Sequence, residues 1–181
     1  MRHKRGIVPC IHSSFSTPSK TTDLKITVED TVFYVNKSII AINSPILCSM
    51  IYPNDEETLN ELAIKDTCSK EFELLLRLIY PDNIEISKDD TISMLNLARA
   101  FEIDHIVSKC IEALKTSFYA DYSRDIDDTL VEQILNICDQ YNLSAFFQDV
   151  LQYISNDIRF MFNPNKFSNV PVRVKIELDK I

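Results

Sequence analysis

The chain has 181 residues, 45% of them hydrophobic and 25% charged, which is typical of one globular domain or of one domain with a helical extension. No apolar run approaches the roughly 18 residues that span a membrane, and GIVPCI after the basic N-terminus is too short for a signal-peptide core. The composition therefore predicts a protein of the cytosol or the nucleus that does not enter a membrane.

Charge is distributed unevenly along the chain, whose formal net charge is −8. Residues 1–22 hold four of the 19 basic residues and no acidic one, so the remainder has 15 basic and 27 acidic residues. Such an acidic remainder disfavours binding to nucleic-acid phosphates, and we expect no nucleic-acid partner. We interpret the basic segment as a solvated tail, with a nucleic-acid contact or a targeting role as the alternative.

Glycine is nearly absent, because Gly6 is the only one. Phosphate-binding loops, dinucleotide-binding turns and serine nucleophile elbows need glycine where the backbone takes a positive φ or approaches a ligand closely. Residues 7–181 therefore cannot contain these motifs in standard form, which argues against nucleotide-dependent enzymes and hydrolases. We predict no catalytic residues and no cofactor.

The cysteines do not indicate a disulfide framework. Their number is odd, no C-x-x-C pair occurs, and three lie in apolar helical patterns, which predicts reduced thiols in the core. A zinc site needs four ligands at close spacing, and Cys10 with His12 or His105 with Cys110 is too sparse a set. We therefore predict no metal site. The five cysteines are Cys10, Cys48, Cys68, Cys110 and Cys138.

Order is predicted to begin at Asp23, after a Ser/Thr/Pro-rich segment without periodicity. LKITV (24–28) and TVFYV (31–35) alternate and are rich in β-branched residues, and Glu29-Asp30 between them predicts a hairpin. Leu62 and Ile64 indicate a third short strand. The strands thus lie early in the chain.

Helical patterns follow the hairpin. Ser44 is a suitable N-cap, and Pro45 is tolerated at the first position of a helix that runs to about Ile51. The SKDD sequence (87–90) has the spacing of a capping box and predicts the start of another helix. Apolar residues recur at helical spacing in three further stretches: Phe72, Leu75, Leu76 and Ile79; Ile92, Leu95, Ala98 and Phe101; Val107, Cys110, Ile111 and Leu114.

Two more helices are predicted beyond a polar link, with the short YNLS sequence between them permitting a helical hairpin. Their apolar positions are Leu130, Ile134, Ile137, Cys138 and Tyr141, then Phe147, Val150, Leu151, Ile154 and Ile158. The C-terminal VPVRVKIEL predicts either a short strand or a closing helix. Three strands followed by six to eight helices give an α+β fold with the helices on one side of a small sheet.

The order and spacing of these motifs resemble a BTB/POZ domain, with Val35-Asn36-Lys37 and Tyr80-Pro81 similar to the divergent BTB proteins of nematodes. Asn36 stands where most members have His. The matching residues are Asp23-Leu24-x-Ile26-x-Val28, Phe33-x-Val35-x-Lys37, Ile40-Ala41-x-x-Ser44-Pro45, Ile64-x-Asp66, Phe72-x-x-Leu75-Leu76-x-x-Ile79-Tyr80, Leu95-x-x-Ala98-x-x-Phe101-x-Ile103 and Cys110-x-x-x-Leu114.

The resemblance implies a three-stranded sheet covered by a cluster of helices at 23–118 and a helical-hairpin extension at 119–162. A flexible basic segment (1–22) would precede them and a short tail (163–181) would follow. The resemblance also implies that the protein is a non-catalytic protein–protein interaction module. Many members dimerise through an additional N-terminal helix, for which residues 1–22 show no amphipathic face, so a homodimer stays open.

Many members of the family also link a cullin scaffold to a substrate for ubiquitination, using a hydrophobic-x-Glu motif and a helix–helix corner. Here Glu57 matches that motif, whereas Asp55 replaces its apolar anchor and predicts weaker binding, with Tyr52 as a candidate substitute. The cullin-facing surface implied by the resemblance consists of Ile51, Tyr52, Asp55, Glu57, Phe101, Ile103 and Asp104.

Each part of this surface has a simpler interpretation. Glu56-Glu57 can be a solvated acidic loop, Phe101 and Ile103 can close the core, and His105 can be an ordinary surface residue. The alternative function is a self-assembling or transcription-related scaffold without a cullin contact. The chain has no room for a separate substrate-binding domain. Residues 115–181 or another subunit would therefore recognise the unknown substrate, unless the sequence is partial.

Overall fold

The computed structural model describes residues 15–54, 57–80, 84–121, 126, 128–156 and 170–178. The chain divides into two compact units, residues 1–114 and 115–181, which are described separately. The described part of the first unit contains a small sheet and helices, and that of the second is helical. The fold is α+β, as the sequence predicted.

A three-stranded sheet forms the centre of the first unit. Strand β1 (Leu24–Val28) pairs antiparallel with β2 (Thr31–Val35) and parallel with β3 (Glu61–Ile64), in the order β2-β1-β3. Glu29 takes a positive φ of 52° in the hairpin turn, a conformation that glycine normally supplies. The predicted hairpin and third strand are therefore confirmed.

Two short helices connect β2 to β3. Asn36 caps helix α1 (Lys37–Asn43), since its side-chain oxygen accepts a hydrogen bond from the Ile39 backbone N–H at 3.2 Å. The Asn36 side-chain amide also donates to the Thr21 carbonyl at 2.9 Å. Helix α2 (Pro45–Ile51) follows directly, with Ser44 as its N-cap. Asn36 thus caps α1 and connects it to the segment that precedes β1.

Three longer helices complete the first unit and lead out of it: α3 (Ser69–Ile79), α4 (Thr91–Ala100) and α5 (Asp104–Asp121). Ser87 and Asp90 hydrogen-bond each other as the SKDD pattern predicted, although α4 begins only at Thr91. Phe72 on α3 contacts the rings of Phe33 and Phe101, with centroids 5.6 and 6.0 Å away. These rings join the sheet to the helical layer.

Packing begins before Asp23. Phe15 is buried, its carbonyl accepts a hydrogen bond from the Tyr34 N–H at 2.8 Å, and its ring lies 5.2 Å from that of Tyr80. The expectation that order begins at Asp23 is therefore wrong for Phe15 and the residues after it. Residues 1–14, which carry most of the basic charge of the segment, lie outside the described residues.

The second unit contains helices α6 (Asp128–Gln140), α7 (Ser144–Asn156) and α8 (Val172–Leu178). The α6–α7 pair forms the predicted hairpin, and α8 resolves the open choice at the C-terminal stretch in favour of a helix. Phe118, near the end of α5, packs its ring against Phe146 and Tyr153, with centroids 5.3 and 5.6 Å away. Ile158, predicted on the face of α7, lies outside the described residues.

Candidate protein-interaction surface

The end of helix α2 places one apolar residue inside and one aromatic residue outside. Ile51 is fully buried, whereas Tyr52, at the C-cap, is 39% exposed and donates its backbone N–H to the Cys48 carbonyl at 2.9 Å. Ile51 therefore anchors the helix end, and Tyr52 is the residue of this pair that a partner can touch.

The loop after Tyr52 is held at both ends. The Leu59 N–H donates to the Ile51 carbonyl at 2.9 Å, which closes the loop onto the helix. Asn54 accepts a hydrogen bond from the Glu57 N–H at 2.8 Å, and its amide lies 3.4 Å from the Glu57 carboxylate. Glu57 is exposed but positioned. Asp55 lies outside the described residues, so its predicted role stays a prediction.

The corner between α4 and α5 is a Schellman turn built without glycine. Glu102 takes a positive φ of 54°, and the Ile103 N–H donates to the Ala98 carbonyl at 2.8 Å. Ile103 is fully buried and Phe101 is 7% exposed, so both close the core, as the simpler interpretation predicted. Asp104 opens α5 with an exposed side chain.

Ser44 connects this corner to helix α2. Its buried hydroxyl accepts a hydrogen bond from the Leu47 N–H at 3.0 Å and donates to the Phe101 carbonyl at 2.6 Å. The corner therefore lies at the start of α2, while Tyr52 lies at its end, about 10 Å along the helix axis. Of the seven predicted residues, Tyr52, Glu57 and Asp104 are exposed, and three are buried supports.

An open groove of about 720 Å³ lies in the first unit and was not predicted. It runs from the end of α2 past the edge strand β3 to the outer face of α4. The only sequence signal for it is Leu97, an apolar residue off the buried stripe of α4. The lining residues are Met50, Ala63, Ile64, Lys65, Asp66, Thr67, Glu71, Ser93, Asn96, Leu97, Ala100 and Phe101.

Burial raises the pKa values of two cysteine thiols and one tyrosine hydroxyl among the described residues. Burial raises the pKa of the Cys110 thiol to about 11 and that of Cys138 to about 12. Burial also raises the pKa of Tyr80, whose hydroxyl accepts a hydrogen bond from the Asn36 N–H at 2.8 Å. The described cysteines are all unpaired; Cys110 and Cys138 are buried, as expected for thiols in apolar helical patterns, whereas Cys48 is half-buried and Cys68 is exposed.

Within the described residues, no group of His, Cys, Asp or Glu side chains is arranged to hold a metal ion. None of the described helices is both long enough and apolar enough to cross a membrane.

The exposed tyrosine, the positioned glutamate and the groove are features of a surface for macromolecular contact, on an α+β scaffold. The family model of the BTB/POZ domain matches residues 13–118. The chain belongs to the BTB/POZ family, whose domains are protein–protein interaction modules.

The chain is similar to two Caenorhabditis elegans proteins. It is 26% identical over 159 residues to BTB and MATH domain-containing protein 38, covering 86% of this chain and 39% of that protein. It is 30% identical over 106 residues to BTB and MATH domain-containing protein 36, covering 58% of this chain and 33% of that protein. These matches confirm the predicted resemblance to nematode BTB proteins.

Similarity to vertebrate proteins covers about half of the chain. The chain is 29% identical over 86 residues to BTB/POZ domain-containing protein 6 of Xenopus tropicalis, covering 48% of this chain and 16% of that protein. The solved BTB domain of zebrafish PATZ1 is 19% identical with a TM-score of 0.46, covering 52% of this chain and 76% of that one. The chain thus spans less than two fifths of the length of these curated relatives.

Proposed function

We propose that this BTB protein is an adaptor that links a cullin-based ubiquitin ligase to a substrate protein. The observation that carries the proposal is the pair of exposed, positioned residues after α2: Tyr52 at the C-cap and Glu57 held by Asn54. Both follow the helix at the place where the family's cullin-binding motif is expected. Tyr52 supplies apolar area, and Asp104 adds an exposed carboxylate at the α4–α5 corner.

The proposed contact can be measured with a purified cullin N-terminal domain by isothermal titration calorimetry. Tyr52→Ala is expected to weaken binding by about tenfold or more, because exposed aromatic residues supply much of the energy of an interface. Glu57→Ala tests the glutamate of the motif, and Glu85→Ala is a matched control at another exposed acidic position. No binding at tens of micromolar by a folded protein would refute the cullin assignment.

Replacing Asp55 tests the register of the motif. Asp55→Leu would restore the apolar anchor, and burying one leucine side chain at the interface is worth about 1.5–3 kcal/mol. We therefore expect at least about tenfold tighter cullin binding in the same calorimetric titration. An unchanged affinity, with Tyr52→Ala still weakening binding, would mean that the motif lies at another position in the loop.

A second candidate function is self-assembly, which the exposed side chain of Ile42 on α1 favours. Ile42 is 83% exposed, the highest exposure among the large hydrophobic residues that the structure describes. An isolated surface isoleucine is common, but a dimer interface on α1 would bury it. Light scattering distinguishes self-assembly from binding to a different protein. A stable dimer that Ile42→Lys dissociates supports a self-assembling scaffold, and a strict monomer favours a different partner.

Substrate recognition is assigned to residues 115–181 or to an associated subunit. The second unit presents Val172 (72% exposed) and Ile176 (53% exposed) on α8, which supports a role in partner contact. Affinity purification of the chain with and without residues 170–178, followed by mass spectrometry, tests this assignment. Partners that require those residues would support it, and an identical set of partners would refute it. We assign the protein no catalytic step and place it in the cytosol or nucleus.

A further inference from the structure

Within the described residues, strand β3 has one edge without a partner strand. It lies at the end of the sheet, and its parallel pairing with β1 places Ala63 opposite Thr27. The Lys25 N–H donates to the Asn60 carbonyl at 2.9 Å, so in a parallel ladder the backbone groups of Leu62 and Ile64 also face β1. Those of Ala63 face away, and within the described residues they make no hydrogen bond.

The groove of about 720 Å³ lies directly beside this edge. Ala63 lines one side, Ala100 on α4 lines the other, and both are exposed small residues that leave room for a chain between them. Met50 and Leu97 add apolar surface at which side chains of a bound segment can be buried. An unpaired strand edge next to an apolar groove is the arrangement that binds extended peptides by strand addition.

The charges at the groove specify the peptide further. Asp66 and Glu71 line it, and neither carboxylate forms an ion pair with another residue that the structure describes. Lys65 is the one basic residue among the described lining residues, and the whole chain carries a net charge of −8. A basic side chain on the bound segment would therefore find a complementary partner.

We propose that this groove binds an extended segment of a partner protein, with alternating apolar and basic residues, which adds to β3 as a fourth strand. The N–H and C=O of Ala63 supply the backbone hydrogen bonds. Met50 and Leu97 receive the apolar side chains, and Asp66 with Glu71 receives a basic one. The groove adjoins the cullin contact proposed at Tyr52 and Glu57 and shares Phe101 with the predicted cullin-facing surface, but peptide binding does not depend on that contact.

The test uses the full chain and a fluorescein-labelled heptapeptide of alternating lysine and valine, with binding followed by fluorescence anisotropy. Ala63→Pro removes the outward N–H without touching the ladder to β1, since proline is tolerated at such edge positions. We expect it to weaken binding by about tenfold. Ala63→Val keeps the N–H and is the matched control, and circular dichroism with thermal unfolding verifies that both variants fold.

A second pair of variants tests the charge. Glu71→Lys is expected to weaken binding of the lysine–valine peptide by about fivefold, whereas Glu85→Lys changes the net charge equally at an exposed position outside the groove. A backbone N-methylated form of the same peptide keeps its charge and loses its donors. It is expected to bind at least about tenfold more weakly.

Three results would overturn the proposal. One is the absence of binding up to millimolar peptide. Another is equal binding of the N-methylated peptide, which would mean that the peptide binds through its charge and not through backbone hydrogen bonds. The third is a dimer in light scattering that Ala63→Pro dissociates, because the edge would then belong to a second copy of the chain. Peptide binding that survives Tyr52→Ala and fails in Ala63→Pro would support the proposal even if no cullin binds.

Discussion

Ser44 makes two structural connections through a single buried hydroxyl. It caps α2 through the Leu47 N–H and donates to the Phe101 carbonyl at the α4–α5 corner. The sequence motif Ser44-Pro45 predicts the first contact, since both residues favour a helix start. The second contact joins residues 57 positions apart, which local spacing does not reveal.

Ser44→Ala is expected to lower the free energy of unfolding by about 2–3 kcal/mol, because the helix loses its cap and a buried carbonyl loses its donor. Urea unfolding followed by circular dichroism measures this change. Ser49→Ala is the control, since the Ser49 hydroxyl is exposed and bonds only within its own helix. Equal effects of the two substitutions would contradict the proposed connection.

The cysteines are expected to differ sharply in reactivity. Burial raises the thiol pKa of Cys110 to about 11 and of Cys138 to about 12, while Cys68 is exposed. Because the thiolate is the nucleophile, iodoacetamide at pH 8 should alkylate Cys68 and leave the other two until urea unfolds the chain. Peptide mass spectrometry measures the labelling. Alkylation of all three cysteines at equal rates would contradict the burial of the Cys110 and Cys138 thiols.

The same shifts predict the direction of the pH dependence of stability. Above the ordinary thiol pKa of 9.0, the unfolded chain loses protons that the folded chain keeps on Cys110 and Cys138. The contribution of these thiols to the free energy of unfolding is therefore fully present below about pH 9. It is lost as the pH rises toward their folded-state pKa values.

At the scale of elements, two helices end in Schellman turns with no glycine. Glu102 after α4 and Asn142 after α6 take φ values of 54° and 53°. The Leu143 N–H donates to the Cys138 carbonyl at 2.9 Å, just as Ile103 donates to Ala98. In each case an apolar residue follows the left-handed position, which fixes the direction of the next helix.

Glu102→Gly is expected to stabilise the protein by about 0.5–1 kcal/mol, because glycine takes the left-handed conformation without a steric penalty. Ser108→Gly, at an exposed position inside α5, is the control and should destabilise by about 0.5 kcal/mol. Thermal unfolding of both variants measures the difference. Destabilisation by Glu102→Gly would mean that the glutamate side chain has a role beyond the turn.

At the scale of the whole molecule, the boundary between units falls inside helix α5. The sequence placed the end of the BTB/POZ domain at residue 118, and the family model also ends there. Compactness divides the chain after Leu114, and Phe118 packs within the second unit against Phe146 and Tyr153. The helix therefore contributes core residues to both units.

Phe118→Ala is expected to destabilise the second unit by about 3–5 kcal/mol, the usual cost of removing a buried aromatic ring. Hydrogen exchange should show lost protection in α6 and α7, with the amides of β1 and β2 much less affected. Tyr119→Ala, at a half-exposed neighbouring position, is the comparison. Uniform loss of protection across both units would show that they unfold as one.

The part of the fold that the sequence predicted rests on local signals. The hairpin at Glu29-Asp30, the start of α2 and the α6–α7 hairpin follow from alternation, capping residues and apolar spacing within a few positions. The predicted cullin-facing surface stays a prediction, and the structure shows only which of its residues are accessible. Tyr52, Glu57 and Asp104 are exposed, whereas Ile51, Phe101 and Ile103 are buried, because the same apolar spacing serves core and surface alike.

The sequence by itself determined the α+β order of elements, since turn chemistry and periodicity are local properties, and the order and spacing of its motifs carried the resemblance to the BTB/POZ family. Only the tertiary structure decided that Phe15 packs on Tyr80, that Phe118 belongs to the second unit, and that β3 is an edge strand beside a groove in the part of the chain that the structure describes. Each of these depends on which distant segments meet, and the burial of apolar surface selects those contacts for the chain as a whole.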